Sequence, residues 1–529
     1  MTVPEAAEVP GAGADEVIER VEAAIAAGDF ADAARWLEAH LVELAGWHLE
    51  RLREALDGLP PAMVNGNPRL AMVHRGVSNF FDQDKPLAAV DVAQQFAAIG
   101  PSGNETGDLV LAGIGEILAL RSTRDFAAGI PIVERGRALV DTQRAQWLEV
   151  SGELRSIYLL QWGLTRMLAQ DLDGAIRDFQ ESFWAGRRSA MPQYARNGAE
   201  NAALLLALLD SLDPALEWLA KARTLPRAPE HLRTYVEECD PLVEAAVALA
   251  RLETDAAREA LASFRPAPET DLSWSVVAHL RARLGLLAGE PFGALDELAR
   301  TNHPRGGAPD PGSFDEALLT IAEAELSLAV GRLPRAETVL ERATPGPLLA
   351  ASRARLALAK GDPSGALVLS LAGLHAPLPF ARSDLETIAA VAQWRLERPA
   401  EAAEHLAHAL EISRTQGVVA PFALLEADDV AGLAALVPGA AEVFERCARS
   451  GVDAPERARP VELSEREKAV LVELAGTAST QEIAARLFVS VNTVKTQLRS
   501  IYRKLGAHSR SEALEAAHRW GFDLGGTAP

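Results

Sequence analysis

The stretch Arg486–Gly506, RLFVSVNTVKTQLRSIYRKLG, places basic and apolar side chains on opposite sides of one helix. Its apolar residues recur at i, i+3, i+7, i+10 and i+14, the stripe of an amphipathic α-helix: Val491, Val494, Leu498, Ile501 and Leu505. The opposite side carries Asn492, Lys495, Thr496, Arg499 and Arg503. From Ile483 to Ser511 the chain has six basic side chains and no Asp or Glu, although its net charge is −22. The stretch therefore predicts a helix that buries one side and offers the other to a negatively charged partner.

Helix-capping residues divide the surrounding sequence into four helices. Three S-x-x-E capping boxes pair Ser464 with Glu467, Ser479 with Glu482 and Ser509 with Glu512. Ser490 is a fourth N-cap, and Gly506 is suited to end the basic helix. We therefore predict helices at residues 465–475, 480–487, 491–505 and 510–520.

The second and third of these helices are joined by only Phe488, Val489 and Ser490, which is the spacing of a helix-turn-helix. An exposed basic helix in that position can enter the major groove of DNA. The alternative is a solvated basic face without a partner, which is common in proteins. The short turn, the one-sided basic face and the local loss of acidic residues coincide here, and together they favour DNA binding.

Residues 463–522 resemble the LuxR-type helix-turn-helix family of bacterial transcription regulators. The matching segments are L-S-E-R-E (Leu463–Glu467), E-I-A (Glu482–Ala484), S-V-N-T-V-K (Ser490–Lys495) and K-L-G (Lys504–Gly506). The resemblance implies that Lys495, Thr496 and Arg499 face base edges. It places Ser490, Asn492, Thr493 and Arg503 near phosphates, and Gln497 and Lys504 complete the predicted DNA-binding set. It also implies dimerisation on DNA through the last helix, with Leu514, Ala517 and Trp520.

The segment departs from the family pattern at three positions. Thr477 stands where Gly is usual, Thr480 where Asn is frequent, and Gln497 where His is common. Gln497 still offers hydrogen bonds to a phosphate or a base. We therefore expect an altered sequence preference and retained DNA binding.

The composition of the whole chain is that of an all-α protein. Hydrophobic residues make up 48% of the 529 positions and aromatic residues only 5%, while Ala and Leu, both strong helix formers, dominate. The two cysteines, Cys239 and Cys447, lie far apart and exclude a disulfide framework. The sequence has no signal peptide and no apolar run long enough to span a membrane, so we expect a cytoplasmic protein.

The first 450 residues repeat one sequence pattern, a small turn followed by a predicted helix with Ala near its start. Clear copies are GDFADAARWL from Gly28, GEPFGALDELA from Gly289 and GDPSGALVLSLA from Gly361. Gly is suited to end one helix, and Pro is tolerated in the first turn of the next helix. The small Ala lets the two helices of a hairpin approach closely. The key alanines, mostly about 30 to 47 residues apart where no copy is missed, are Ala33, Ala88, Ala175, Ala215, Ala294, Ala336, Ala366 and Ala402. This period predicts helical hairpins stacked in a curved superhelix, looser than a strict tetratricopeptide repeat (TPR) and hence TPR-like.

The predicted organisation has five parts: a disordered leader (1–15), a TPR-like sensor or interaction domain (16–449), a linker (450–462), the helix-turn-helix domain (463–522) and a disordered tail (523–529). Residues 464–529 carry a net charge of +2, so the remainder is strongly acidic and we expect only the C-terminal module to touch DNA.

Two segments of the body resemble the large ATP-binding, maltose-activator-like LuxR regulators: ALDGLPPAMVNGNPRLAM from Ala55 and RTQGVVAPFALLEADDVAGLAAL from Arg414. Because the chain begins almost at the helical array, ATP-driven oligomerisation is not carried over from that subfamily.

Motifs for enzyme chemistry are missing from the sequence. It has no phosphate-binding loop, no dinucleotide fingerprint after a strand and no HExxH, so we predict neither enzyme activity nor a cofactor. His405 and His408 lie three residues apart on one predicted helix, but a pair without a third ligand indicates a structural role, and no metal is predicted. Five tryptophans are interpreted as hairpin core: Trp36, Trp162, Trp184, Trp218 and Trp394.

Two functions are compatible with this sequence. The first is a sequence-specific transcription regulator that binds double-stranded promoter DNA as a homodimer. Its body would sense a small molecule, a peptide or a protein, and RNA polymerase is a further expected partner. The second is a TPR-like interaction scaffold whose last helices serve docking or dimerisation. The basic face of an N-capped helix favours the first.

Overall fold

The computed structural model describes residues 12–81, 105–149, 152–189, 191–233, 236–266, 272–301, 309–449, 463–476, 479–505, 507 and 509–519. Every regular element in this part of the chain is a helix, which confirms the all-α prediction. The α-helices are Ala12–Ala26, Phe30–Trp47, Leu49–Gly58, Pro61–Gly66, Pro68–Phe81, Glu105–Ser122, Phe126–Thr142, Arg144–Glu149, Gly152–Leu168, Leu172–Gly186, Pro192–Leu208, Leu212–Arg223, Asp240–Ala250, Thr254–Ser263, Trp274–Leu287, Pro291–Arg300, Phe314–Ala329, Leu333–Arg342, Ala350–Ala359, Pro363–Leu374, Arg382–Arg395, Pro399–Gln416, Ala420–Ala423, Ala427–Leu433, Ala440–Arg449, Glu465–Ala475, Thr480–Arg486, Val491–Leu505 and Arg510–Arg519. Two short 3-10 helices span Glu230–Leu232 and Pro347–Leu349.

One turn geometry recurs between the helices of the hairpins. Gly361 has a φ of 77°, and the following Asp362 caps the next helix by accepting a hydrogen bond from the Gly365 backbone N–H at 2.8 Å. Where the sequence has no Gly, another residue takes the same left-handed conformation, as Gln170 does with a φ of 66° before the N-cap Asp171. Gly adopts this conformation without steric cost, whereas a residue with a side chain does so at a small cost.

The repeat alanines lie four residues after the N-cap of their helix and are buried, as the repeat pattern predicts. The described members are Ala33, Ala175, Ala215, Ala294, Ala336, Ala366 and Ala402, and Ala88 lies outside the described residues. An added Cβ on Gly285 would lie 2.3 Å from the Cβ of Ala294, so the two helices touch there. After the N-cap Asp125 the alanine is replaced by Gly129, where a Cβ would lie 2.7 Å from the Thr165 side chain. Small residues at this position let the two helices of a hairpin pack in direct contact.

The chain divides into two compact units. The first consists of Met1–Val247, Glu259–Val277 and His303–Glu316, and the second of Ala248–Arg258, Ala278–Asn302 and Ala317–Pro529. The predicted body of residues 16–449 therefore contributes to both units. Within the second unit, the C-terminal helices have a hydrophobic core of their own, which runs from Leu463 to Ala517.

Several predicted features at the edges of the domains fall outside the described residues. These include the linker over 450–462 and the tail over 523–529, whereas a helix already begins at Ala12, within the predicted leader.

Trp162 and Trp218 are buried as predicted, but Trp184 is 52% exposed, so its interpretation as core is wrong. Among the described helices, none combines the length and the apolar character needed to cross a bilayer.

Candidate nucleic-acid interface

The C-terminal domain consists of four helices that begin at the predicted caps. All four lie within one residue of the predicted bounds: Glu465–Ala475 (the opening helix), Thr480–Arg486, Val491–Leu505 (the basic helix) and Arg510–Arg519. Ser464 and Ser479 form complete capping boxes. Ser490 accepts a hydrogen bond from the Thr493 backbone N–H at 3.1 Å, and Ser509 accepts one from the Glu512 backbone N–H at 3.2 Å. The local polar signals therefore predict the starts of these four helices correctly.

The basic helix is amphipathic, as predicted. Val494, Ile501 and Leu505 are buried in the domain core, and Val491 and Leu498 pack against that core. The residues predicted on the opposite side are all exposed: Asn492, Lys495, Thr496, Arg499 and Arg503. The helix therefore presents a polar and basic face to solvent while its other side holds the domain together.

The six basic side chains between Ile483 and Ser511 divide into two groups. Arg486, Lys504 and Arg510 are each held by an acidic side chain or a backbone carbonyl of the domain. The side chains of Lys495, Arg499 and Arg503 make no hydrogen bond or ion pair with the described residues. These three lie at i, i+4 and i+8 on one helix, so their unneutralised charges form a row that suits the phosphates and base edges of DNA.

Glu467 fastens the basic helix to the opening helix. Its carboxylate accepts hydrogen bonds from the Ser464 backbone N–H, the Ser500 hydroxyl and the Lys504 ammonium, each at 2.7 Å. Burial on its own raises the pKa of Glu467, but these donors outweigh burial and lower the pKa to about 2. The charged carboxylate is therefore the form that fits this position, and it holds the basic helix in its orientation within the domain.

The structure shows how the other predicted DNA contacts are placed. The ammonium of Lys504 is engaged by Glu467 while its side chain is 35% exposed, and its contact with DNA stays a prediction. Gln497 is half-buried, whereas Ser490 and Thr493 are exposed with their hydroxyls 2.8 Å apart. The hydroxyl of Thr496 donates to the Asn492 backbone carbonyl at 2.9 Å, so its hydrogen is used within the helix.

The last helix departs from the dimerisation prediction. Ala517 is completely buried in the core of its own domain, so it offers no surface to a second copy and that assignment is wrong. Leu514 is half-buried and packs against the same core. Trp520 lies outside the described residues.

Sequence reasoning treated the turn before the basic helix only as a connection, yet this turn exposes apolar side chains. Phe488 is 95% exposed and Val489 41% exposed. Phe488 also has a φ of 54°, the left-handed conformation that lets the chain reverse in so few residues. These two side chains add apolar contact area beside the amino end of the basic helix.

A second candidate site lies in the first unit, where described residues line a partly open cavity of about 220 Å³. Its wall is mainly apolar with a few polar side chains, and its members include Leu118, Ile157, Leu164, Met167, Val236, Arg121, Gln161, Asn197 and Ser273. An apolar cavity with a few convergent polar groups is typical of small-molecule sites.

Arg121 is the cationic group among the described residues of this wall. Its Nη2 donates a hydrogen bond to Gln161, whereas its Nη1 is buried without a hydrogen-bond partner among the described residues. Burial lowers the pKa of Arg121 to about 10. Glu237 also lines the cavity, but its carboxylate accepts a hydrogen bond from the Ser273 hydroxyl at 2.6 Å. A buried cation with an unused donor is costly, and an anion in the cavity would offset that cost.

Comparison with known proteins identifies the C-terminal domain. Residues 461–517 match the family model for bacterial regulatory proteins of the luxR family. Over 59 residues, 11% of this chain, the sequence is 44% identical to the transcriptional regulatory protein YhcZ of Bacillus subtilis, covering 28% of that protein. It is 47% identical over 51 residues, 10% of the chain, to the nitrate/nitrite response regulator protein homolog of Haemophilus influenzae, covering 24% of it. It is 48% identical over 59 residues, 11% of the chain, to the HTH-type transcriptional activator RamA of Corynebacterium glutamicum, covering 21% of it.

The chain thus spans about a quarter of the length of these relatives. This domain is a LuxR-type helix-turn-helix domain, as the four sequence motifs implied. The resemblance of the body to the large ATP-binding regulators stays a prediction.

Proposed function

We propose that the protein is a cytoplasmic, sequence-specific transcription regulator that binds double-stranded DNA through the basic helix. The observation that carries the proposal is the row of exposed, unneutralised charges at Lys495, Arg499 and Arg503 on a helix fixed by its buried side. The luxR-family match of the same residues supports it independently.

The positions along the helix divide the expected contacts. Lys495 and Arg499 lie one turn apart, and such side chains pair with the major-groove edge of guanine. Arg503 lies one turn further on and suits a phosphate, as do Ser490 and Asn492 near the amino end of the helix. We expect two copies on adjacent half-sites, because two linked domains bind far more tightly than one.

Selection of bound duplexes from a random pool tests the proposal directly with the full-length protein. A regulator enriches one motif, and a dimeric one enriches two related half-sites at a fixed spacing. An interaction scaffold, the other function that the sequence allowed, enriches no motif, and that outcome would overturn the proposal.

The substitution Arg503→Ala should weaken binding to specific and random DNA by a similar factor. Because a phosphate contact releases counterions, the slope of log K against log salt should become shallower by about 1. Fluorescence anisotropy with the selected duplex across a salt series measures both quantities. Arg466→Ala, which removes the same charge from an exposed position on the opening helix, is the matched control and should keep the wild-type slope. A changed motif with an unchanged slope would instead show that Arg503 reads a base.

We also propose that the cavity of the first unit receives the effector, a small molecule with an apolar body and one anionic group. The apolar wall accounts for the body of this ligand, and the unused Nη1 donor of Arg121 accounts for its charge. Charge-assisted hydrogen bonds from Arg to a carboxylate are among the strongest that proteins form.

Octanoate and octan-1-ol are suitable probes, because they share an apolar chain and differ in charge. We expect the wild-type protein to bind octanoate more tightly than octan-1-ol in isothermal titration calorimetry, and Arg121→Met to remove that preference. The variant without ligand should melt no lower than wild type, since the substitution removes an incompletely satisfied buried charge. Arg177→Gln, at a side chain 65% exposed, is the control and should bind as wild type does. Equal affinity of wild type and Arg121→Met for octanoate would contradict the assignment.

A further inference from the structure

A group of three metal-ligating side chains lies on one helical hairpin of the second unit. Glu386 belongs to the helix Arg382–Arg395, and His405 and His408 belong to the next helix, Pro399–Gln416. One ligand atom from each of the three lies within 4.8 Å of the others. The sequence shows only the histidine pair, and the fold supplies the third ligand whose absence argued against a metal.

The distances within this group suit a single small cation. Glu386 Oε2 lies 2.7 Å from His405 Nδ1, and Glu386 Oε1 lies 3.5 Å from His408 Nδ1. Zinc bonds to nitrogen and carboxylate oxygen are about 2.0–2.2 Å long, so neighbouring ligands of a tetrahedral ion lie about 3.3 Å apart. The two observed separations, measured from the two oxygens of the one carboxylate, lie on either side of that value, and the two imidazole planes are nearly perpendicular, at 85°. Small side-chain rotations would place the three atoms around one ion.

The charge of Glu386 also calls for a cation. The residue is only 4% exposed, and its partners among the described side chains are the two imidazoles. Asp384, on the same helix and equally buried, is paired with the guanidinium of Arg355. Buried carboxylates are normally balanced by a positive charge: Asp384 has a guanidinium, whereas the partners of Glu386 are imidazoles, and a bound cation would balance its charge.

An ion could reach this position from solvent. The His408 side chain is 65% exposed, whereas that of His405 is 18% exposed. Two imidazoles and one carboxylate are a ligand set that zinc accepts, with water in the fourth position.

We infer that Glu386, His405 and His408 bind a Zn²⁺ ion, which links the two helices of this hairpin. The site is separate from the DNA-binding face of the basic helix, and the inference does not depend on the proposed function. A zinc measurement that fails therefore leaves DNA binding untouched, and the reverse also holds.

The test uses full-length protein without an affinity tag, stripped of metal by chelation and titrated with ZnCl₂ in a calorimeter. We expect one zinc per chain at this site and a rise in melting temperature on loading, because the ion binds the folded state. His408→Gln changes a mainly exposed side chain and should fold normally, yet lower zinc affinity by at least about 10-fold.

Two more variants separate a metal ligand from an ordinary hydrogen bond. Glu386→Gln keeps an oxygen that accepts from His405 but removes the charge, so it should remain folded and lose zinc affinity. His375→Gln changes an exposed histidine of the same unit outside the group and should keep wild-type zinc affinity. The inference is wrong if wild type takes up no zinc, or if His408→Gln and Glu386→Gln bind zinc as tightly as His375→Gln does.

Discussion

Replacing both Lys495 and Arg499 by Ala is expected to abolish selective DNA binding while leaving the domain folded. Both side chains are exposed and bind nothing else among the described residues, so their removal costs no internal contact. A side chain that reads a base contributes about 1–3 kcal/mol of discrimination, so the pair should account for at least about 30-fold in affinity for the selected duplex. Anisotropy titration with that duplex and with a scrambled one measures the loss.

The matched control removes two positive charges from another surface of the same domain. Arg466 and Lys468 are exposed on the opening helix, and the double substitution to Ala changes the net charge equally. This control should retain the preference for the selected over the scrambled duplex. If both double variants lose affinity to the same extent, the effect is one of overall charge and the basic helix does not read the sequence.

The sequence predicts the C-terminal domain well because its signals are local. A capping box such as Ser464 with Glu467 joins residues three apart, and an apolar stripe such as that of Val494, Ile501 and Leu505 repeats within one helix. The repeat alanines are equally easy to recognise in the sequence, because Ala366 and its counterparts lie a fixed number of residues after the N-cap. These features need no knowledge of how distant segments meet.

What the sequence misses depends on contacts between distant segments. Glu467 was recognised as a cap, but its hydrogen bonds to Ser500 and Lys504 link it to residues 33 and 37 positions further along the chain. Glu386 approaches His405 only because the two helices form a hairpin. Ala517 was assigned to a dimer surface by resemblance, although the fold turns it inward. In each case the sequence shows the residue type but does not show which distant residue it contacts in the fold.

Substituting Glu467 by Ala should destabilise the C-terminal domain more than any loss of a helix cap alone. The change removes a cap and leaves the ammonium of Lys504 and the hydroxyl of Ser500 without their acceptor. Loss of a cap costs about 1 kcal/mol, and loss of the hydrogen bonds from the partly exposed Lys504 and from Ser500 adds about 1–3, so we expect about 2–4 kcal/mol. Hydrogen exchange measured by mass spectrometry on the full-length protein should show peptides of the basic helix exchanging about 30-fold to several hundred-fold faster.

Glu482 provides the matched control, because it closes the other capping box but is exposed. Glu482→Ala should cost at most about 1 kcal/mol and leave exchange in the basic helix nearly unchanged. Similar exchange in the two variants would show that the contact of Glu467 with Lys504 and Ser500 does not hold the helix.

Acid should reproduce the effect of Glu467→Ala in the wild-type protein. The pKa of Glu467 is lowered from 4.5 to about 2, so its contribution is complete above pH 4.5 and is lost as the pH falls toward 2. Exchange in the basic helix, corrected for the intrinsic pH dependence of amide exchange, should therefore accelerate over this interval in wild type. In Glu467→Ala that acceleration should be smaller, because the group that titrates is gone. An equal acceleration in both proteins would show that other carboxylates cause the acid sensitivity and that Glu467 does not hold the basic helix in place.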